Sequence, residues 1–153
     1  MIKNTKLYYL AYGSNLNLKD MQKRCPNTKK IGSSILENYR LVYKGYQNNY
    51  SYLTIEKQYN SNVFVGVFDL SSSDIESLDY YEGYPHLYKK LYLPFTLNNK
   101  EYNGLIYQIN NNIGYNLPSK DYIKTCMEGY NDFDFDKNIL IDAYNNTKKL
   151  IKR

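Results

Sequence analysis

The sequence predicts an α+β fold with an antiparallel or mixed sheet that can close into a small barrel. Segments with strand-like patterns outnumber the amphipathic helical segments, and several follow one another closely enough to form hairpins. The chain has 153 residues, and 42% of them are hydrophobic, which is enough for one core. We therefore expect a single domain over residues 1–153.

The N-terminal part predicts a strand, a turn and a short helix. Lys6–Tyr12 is an apolar run that Gly13 ends, as is typical of a strand buried on both faces. Asn17 can cap the helix that follows, and Asp20 would face the positive end of that helix. Pro26 follows the expected helix end.

Residues 32–70 predict three strands. The segments SILENYRLVYKGY and YSYLTIEKQY alternate in part between apolar and polar residues, and NVFVGVFDL is nearly all apolar. Gly66 lies at the centre of the last segment. A glycine inside a strand often marks a bulge or the close approach of another group.

The next predicted elements are a helix and a hairpin. Ser71 or Ser72 lies ahead of the acidic Asp74, which is the signature of a capped helix. Residues 87–109 then predict two strands joined by a turn at the asparagine pair 98–99. Pro94 would place the first of these strands at a sheet edge or at a bulge.

Two helices close the chain in this prediction. Ser119 can cap the first of them, and the second is expected from about Asp136 to Lys149.

The composition narrows the possible partners. The net charge is +5 and the pI is near 9.0, but the lysines are scattered, whereas a nucleic-acid face needs clustered cations beside stacking aromatic residues. No run approaches the roughly 18 apolar residues of a membrane span. We expect neither a nucleic-acid nor a membrane partner.

The two cysteines, Cys25 and Cys126, predict reduced thiols and a cytoplasmic protein.

The tripeptide Glu-Gly-Tyr occurs twice, and helical phase separates the two glutamates. Glu82 follows Ile75 by seven residues and Leu78 by four, so it lies on the apolar stripe of its helix. Glu128 lies on the side of its helix opposite the apolar stripe, which predicts a surface residue ahead of a glycine C-cap at Gly129.

Glu82 is therefore the candidate catalytic residue. Gly83 is expected to end its helix, which places Glu82 near the negative end of the helix dipole and among Tyr80, Tyr81 and Tyr84. The dipole and burial would both raise the pKa of the carboxyl, as suits a general base near neutral pH. The alternative is a glutamate at a frayed helix end that turns out to water.

The turn after the first strand is the second candidate feature. Gly13 would permit positive φ and the close approach of a ligand, and Ser14 and Asn15 add side-chain donors. A substrate carboxylate or amide oxygen would fit there. The alternative is a plain joint between a strand and a helix.

Other chemistries lack the residues they need. His86 is the only histidine, which argues against a Ser-His-Asp triad and against a histidine-rich metal site. The sequence contains no phosphate-binding glycine motif, and the two cysteines lack zinc-site spacing.

Three motifs in this order resemble the γ-glutamylcyclotransferase-like family: YGSNL at 12–16, LDYYEGY at 78–84 and PSKDY at 118–122. The resemblance spans about Leu7 to Tyr130. It implies a small mixed β-barrel flanked by helices, with a pocket at one end of the barrel. It also implies no metal and no cofactor.

The resemblance further implies residue roles. The backbone of Tyr12, Gly13, Ser14 and Asn15 would hold the γ-glutamyl part of a small-molecule substrate, and Glu82 would be the catalytic general base and acid. Tyr122 would close the pocket with its hydroxyl, although its pattern alone also suits a core residue of its helix. The YGSN turn differs from the YGSL turn of the glutathione-specific branch, which argues against intact glutathione as the substrate.

The expected activity is the conversion of a γ-glutamyl amine or a γ-glutamyl amino acid to 5-oxoproline and a free amine. A non-catalytic binding module on the same fold is the alternative. The leaving group, the oligomeric state and the role of the last helix stay open at this point.

Overall fold

The structure is a computed structural model that describes residues 7–152. Lys6, where the first strand was expected to begin, lies outside these residues. The strands are β1 (Leu7–Ala11), β2 (Lys29–Gln47), β3 (Tyr50–Leu70), β4 (Tyr88–Leu97) and β5 (Lys100–Ile109). The helices are α1 (Leu18–Arg24), α2 (Ser72–Tyr81), α3 (Lys120–Asp132) and α4 (Asn138–Ile151), and a 3-10 turn covers Ser14–Leu16.

The strands form one mixed sheet in the order β2-β3-β1-β5-β4. The central strand β1 pairs antiparallel with β3 and parallel with β5, so the α+β prediction is confirmed. Within residues 7–152 the sheet is not closed into a complete barrel, because no ladder joins its edge strands β2 and β4. The two edges approach each other through a side-chain bond, in which the Ser34 hydroxyl donates to the Thr96 carbonyl at 2.7 Å.

The prediction of three strands over residues 32–70 is wrong, because two long strands cover this region. The polar NSN segment at 60–62 continues β3 instead of ending it. Asn38 and Asn60 both take positive φ, and the Asn60 N–H donates to the Asn38 side-chain oxygen at 3.1 Å. The pairing register shifts beside them, between Glu37 and Tyr39. A bulge of this kind lets a strand bend without breaking the sheet.

The predicted capping signals are confirmed. The side chains of Asn17, Ser71 and Ser119 accept the N–H bonds that begin α1, α2 and α3. The asparagine pair 98–99 has positive φ at both positions, as a two-residue hairpin turn requires, and Pro94 lies on the edge strand β4.

Two glycines let α3 and the residue after it pack closely against β3 and the turn after β1. A Cβ on Gly66 would lie 2.5 Å from the Phe133 ring, which confirms the close approach expected there. Gly129 was expected to end its helix and does not, since α3 continues to Asp132. A Cβ on Gly129 would lie 2.5 Å from the backbone nitrogen of Asn17, so this glycine brings α3 against the turn after β1.

Between Leu7 and Lys152, no helix is both long and apolar enough to cross a membrane. The core takes large buried side chains from the sheet and from α3, among them Leu10, Phe68 and Tyr130. Cys25 and Cys126 are buried free thiols.

Candidate active site

A chamber between the end of β1, the end of α2 and the start of α3 contains all six candidate residues. Its inner part holds about 20 Å³, which is room for about one water molecule. The residues around this inner part are Tyr9, Tyr12, Gly13, Ser14, Asn15, Leu53, Glu82, Tyr88, Tyr107 and Tyr122. An adjoining outer part of about 250 Å³ shares Ser14, Glu82, Tyr88 and Tyr122 with it.

The end of α2 holds Glu82 in the helical phase expected from the sequence. Its N–H donates to the Leu78 carbonyl at 2.8 Å, so the side chain keeps its place on the apolar stripe. Gly83 has φ of +64°, and the N–H of Tyr84 returns to the carbonyl of Asp79 at 2.9 Å. These features are a Schellman motif, in which glycine supplies the left-handed residue that stops the helix.

The Glu82 carboxyl points into the chamber rather than to water. Its Oε1 accepts a hydrogen bond from the Asn15 side-chain nitrogen at 3.0 Å. Burial raises the pKa of this carboxyl to about 8, while the charge of Arg24 and the bond from Asn15 act in the opposite direction. Desolvation is therefore the main cause of the shift, and the alternative of a frayed, solvated glutamate does not apply.

The turn after β1 differs from the expectation at one residue. Gly13 has φ of −129° and not the positive φ expected. Glycine is suited to this position because it lacks a side chain, since a Cβ on residue 13 would lie 3.2 Å from the Tyr122 hydroxyl. Ser14 and Asn15 are buried, and the Ser14 hydroxyl lies 3.3 Å from that of Tyr81.

Hydrogen bonds fix the tyrosine hydroxyls of the chamber wall. Tyr12 donates to the Tyr107 carbonyl at 2.5 Å, and Tyr88 donates to the Leu53 carbonyl at 2.8 Å. The hydroxyl of Tyr122 accepts the Leu53 N–H at 3.0 Å. Burial raises the pKa values of these tyrosines above the ordinary range, so they stay neutral at physiological pH. The wall is thus aromatic, uncharged and ordered before a substrate arrives.

The aromatic surroundings of Glu82 match the expectation only in part. Tyr80, Tyr81 and Tyr84 are all exposed to some extent, but Tyr80 and Tyr81 line the outer part of the chamber together with Glu82. Further rings around the inner part come from the sheet. Tyr9, Tyr88 and Tyr107 lie on β1, β4 and β5, and they meet only because these strands are neighbours.

Sequence reasoning also missed Arg24, which contacts both Asn15 and Tyr81. A usable signal was present, because Arg24 lies three positions after the buried Met21 and next to the buried Cys25. An arginine beside the apolar stripe of a short helix is expected to reach a partner near the core.

A larger surface groove of about 670 Å³ runs along α3 and contains Glu128. As predicted, Glu128 is exposed, and it accepts a bond of 3.4 Å from the Asn17 side chain. Size alone therefore does not identify the site. Over the described part of the chain, no group of three or more His, Cys, Asp or Glu residues has the arrangement of a metal site.

The chamber can perform proton transfer on a small ligand. It offers one carboxyl whose pKa burial raises to about 8, with a polar turn and tyrosine walls beside it. Nucleophilic catalysis by a cysteine is poorly suited, since burial raises the pKa of Cys25 to about 11 and that of Cys126 to about 12.

Similar solved structures support the fold. One described as a gamma-glutamyl cyclotransferase has a TM-score of 0.78 and 21% identity, over 94% of this chain and 87% of that one. A Homo sapiens protein described as uncharacterized has a TM-score of 0.77 and 22% identity, over 94% and 86%. YkqA from Bacillus subtilis has a TM-score of 0.74 and 17% identity, over 98% of this chain and 54% of that one.

A comparison with curated protein sequences found no match. Residues 9–125 match the family described as gamma-glutamyl cyclotransferase, AIG2-like. This match covers well over half of the chain and includes both the turn after β1 and Glu82. The chain therefore belongs to the gamma-glutamyl cyclotransferase, AIG2-like, family.

Proposed function

We propose that this protein is a cyclotransferase that converts a γ-glutamyl amine or γ-glutamyl amino acid to 5-oxoproline and a free amine. One observation carries the proposal: the buried carboxyl of Glu82, bonded to Asn15 at 3.0 Å, lies in a chamber of neutral tyrosines. The family supports the reaction class, and the chemistry of the chamber supports the roles of the residues.

The acidity of Glu82 suits the substrate amine. A free α-amino group has a pKa of about 8, and burial raises the pKa of the Glu82 carboxyl to about 8 as well. A proton can therefore pass between the two groups at little cost in free energy. An ordinary glutamate, with a pKa near 4, would be a much weaker base toward this ammonium group.

The proposed reaction is intramolecular. Glu82 removes a proton from the α-ammonium group, and the α-nitrogen attacks the γ-carbonyl carbon of the same molecule. The new C–N bond closes the five-membered ring. The bond to the leaving nitrogen then breaks as Glu82 returns the proton to that nitrogen. The ring nitrogen loses its second proton to the released amine, so the products are neutral at the lactam nitrogen and carry the charge on an ammonium ion. The enzyme mainly has to hold a folded substrate, which is the situation in which positioning contributes most.

The turn after β1 would hold the γ-glutamyl part. We assign this role to the backbone of residues 12–15 and to the hydroxyl of Ser14, which reaches both parts of the chamber. Donors in this turn would also stabilise negative charge on the γ-carbonyl oxygen. Tyr122 would close the opposite side. The inner part has room for about one water, so most of the substrate would occupy the outer part.

The outer part of the chamber suggests which leaving groups fit best. Its wall includes the rings of Tyr52, Tyr81 and Tyr88 together with Leu87, and its charged member is the acidic Glu82. Aromatic faces favour an apolar or aromatic amine, while the Glu82 carboxylate would repel a second carboxylate. We therefore propose that γ-glutamyl amines are better substrates than γ-glutamyl amino acids.

The test is detection of 5-oxoproline with matched substrates. γ-Glutamyl-phenethylamine and γ-glutamyl-phenylalanine differ only in the leaving-group carboxylate, so their kcat/KM values isolate its effect. We expect release from both, with the amine at least tenfold better. A preference for the amino acid would contradict the assignment of the leaving group. Binding without any release of 5-oxoproline would instead support the non-catalytic module.

The two buried free thiols support a reducing, cytoplasmic location for this activity. Fractionation of the source cells, with 5-oxoproline release as the assay, tests this location. Activity in an extracellular or membrane fraction would contradict it.

A further inference from the structure

Arg24, in the last turn of α1, joins the turn after β1 to the end of α2. Its Nη1 donates to the side-chain oxygen of Asn15 at 2.6 Å, and its Nη2 donates to the Tyr81 hydroxyl at 2.7 Å. The guanidinium carbon also lies 3.6 Å from the centre of the Tyr81 ring. One planar cation therefore holds two chamber residues from different parts of the chain.

The bond to Asn15 determines which end of that carboxamide faces Glu82. A carboxamide has an oxygen that accepts and a nitrogen that donates, and arginine has only donors. The oxygen must face Arg24, so the nitrogen faces the opposite side. There it donates to the Tyr9 hydroxyl at 2.8 Å and to Glu82 at 3.0 Å. In the reverse orientation, the carboxamide oxygen of Asn15 would face the carboxylate oxygen of Glu82. The carboxamide nitrogen would then face the guanidinium of Arg24, so that two donors would meet.

We propose that Arg24 is a positioning residue, which orients the Asn15 carboxamide so that its nitrogen supports the carboxylate of Glu82 during turnover. This inference rests on the proposed function. Arg24 is absent from the residues that surround the two parts of the chamber. It therefore acts through Asn15 and Tyr81 and does not touch the substrate.

Arg24 also supplies positive charge near the carboxyl. The titratable side chains that face Glu82 from the sheet, the turn after β1, α2 and α3 are tyrosines whose pKa values burial raises, namely Tyr9, Tyr12, Tyr81, Tyr88, Tyr107 and Tyr122. They are neutral at working pH. The charge of Arg24, from α1, favours the carboxylate and opposes part of the effect of burial on Glu82.

The experiment compares two variants of neighbouring cations. R24M removes the guanidinium and keeps an unbranched side chain, and K23M removes the same net charge from an exposed position. We expect R24M to lower kcat/KM by about 10–100-fold and to move the acidic limb of its pH profile upward by about one pH unit. We expect K23M to change neither. A limb that moves equally in both variants, or in neither, would overturn the proposal.

A second variant separates orientation from charge. R24K keeps the charge but cannot hold both acceptors with one planar fork. We expect the acidic limb to stay at its wild-type position while kcat/KM falls by about threefold to tenfold. Wild-type kcat/KM in folded R24K would contradict the orienting role. This variant also keeps the proposal testable if R24M fails to fold.

A titration without substrate distinguishes this proposal from the proposed function. Carbon-13 labelling of glutamate side chains follows the Glu82 carboxyl directly, with E82Q identifying its signal. We expect Glu82 to titrate at higher pH in R24M than in the wild type and in K23M. An unchanged titration overturns the role of Arg24 even if 5-oxoproline is released. Failure of the wild type to release 5-oxoproline would overturn the proposed function and leave this result standing.

Discussion

The side-chain nitrogen of Asn15 donates to Oε1 of Glu82 across 3.0 Å, and this bond joins two segments that are 67 residues apart. One segment is the turn that leaves the central strand of the sheet, and the other is the C-terminal end of α2. Each segment would be an ordinary connection by itself. Together they place a carboxyl with a raised pKa beside a polar turn, which is the arrangement that the proposed reaction needs.

The pH dependence of kcat/KM should report the Glu82 carboxyl. Burial raises its pKa to about 8, so below that pH most molecules hold a protonated acid that cannot accept a proton from the substrate. We expect kcat/KM to fall about tenfold per pH unit on the acidic side of pH 8. This acidic limb reports the pKa of a group on the enzyme, so its midpoint should be the same for different γ-glutamyl substrates. A limb near pH 4 would show that burial does not shift this group.

The same carboxyl should make wild-type stability depend on pH. Its folded pKa is raised, so folding suffers no penalty from it below about pH 4, where both states are protonated. Between about pH 4 and pH 8 the unfolded state releases a proton that the folded state retains, and stability is lost as the pH rises. Replacement by glutamine removes this loss.

We therefore expect the free energy of unfolding of E82Q, relative to that of the wild type, to increase by about 2–4 kcal/mol as the pH rises from 5 to 8. Urea unfolding of both proteins at the two pH values measures this difference. An equal pH dependence in both proteins would contradict the raised pKa of Glu82.

The absence of a side chain at Gly13 should matter through the Tyr122 hydroxyl. A Cβ on Gly13 would lie 3.2 Å from that hydroxyl, so G13A should displace Tyr122 and lower kcat/KM by about tenfold or more. If this contact is the cause, G13A should lower kcat/KM much less in a Y122F background, where the hydroxyl is absent. A double-mutant cycle in kcat/KM makes the test. Strictly additive losses would mean that Gly13 acts in some other way.

Gly83 should be needed for the backbone conformation that ends α2. Its φ of +64° is strained for alanine, and G83A should cost about 1–2 kcal/mol of unfolding free energy. It should also lower kcat/KM, because Glu82 is the residue directly before it. The matched control is G114A, whose added Cβ would meet nothing within 4 Å. Thermal unfolding and kcat/KM of both variants provide the comparison, and equal losses would argue against this role.

Local signals explain most of what the sequence predicts correctly. Side-chain caps, the paired asparagines of the hairpin and the helical phase of Glu82 depend on residues within one or two turns of each other. Asn38 and Asn60 do not give such a local signal. They bond to each other across 22 positions of sequence, at the point where β3 continues through a region predicted to separate two strands. The segment around Asn60 therefore looks like a turn until its partner strand is known.

The rest of the candidate site depends on which strands are neighbours. The chain has 20 tyrosines, so their presence near any motif says little about the chamber. Tyr9, Tyr88 and Tyr107 surround Glu82 because β1, β5 and β4 lie side by side in the sheet. The apolar stripe of α1 indicates that Arg24 has a partner near the core but not which one, since the acceptor on Asn15 lies outside that helix.

The two Glu-Gly-Tyr segments allow the most direct test of the central claim, because they supply a matched pair of variants. E82Q removes the acid and base from the chamber and keeps the shape of the side chain. E128Q makes the same change in the second copy, where the side chain is exposed. The measurement is 5-oxoproline release under identical conditions, with circular dichroism to confirm that both variants are folded. We expect a loss of at least 100-fold in E82Q and wild-type activity in E128Q. Full activity in a folded E82Q would contradict the assignment of Glu82 as the group that moves the proton.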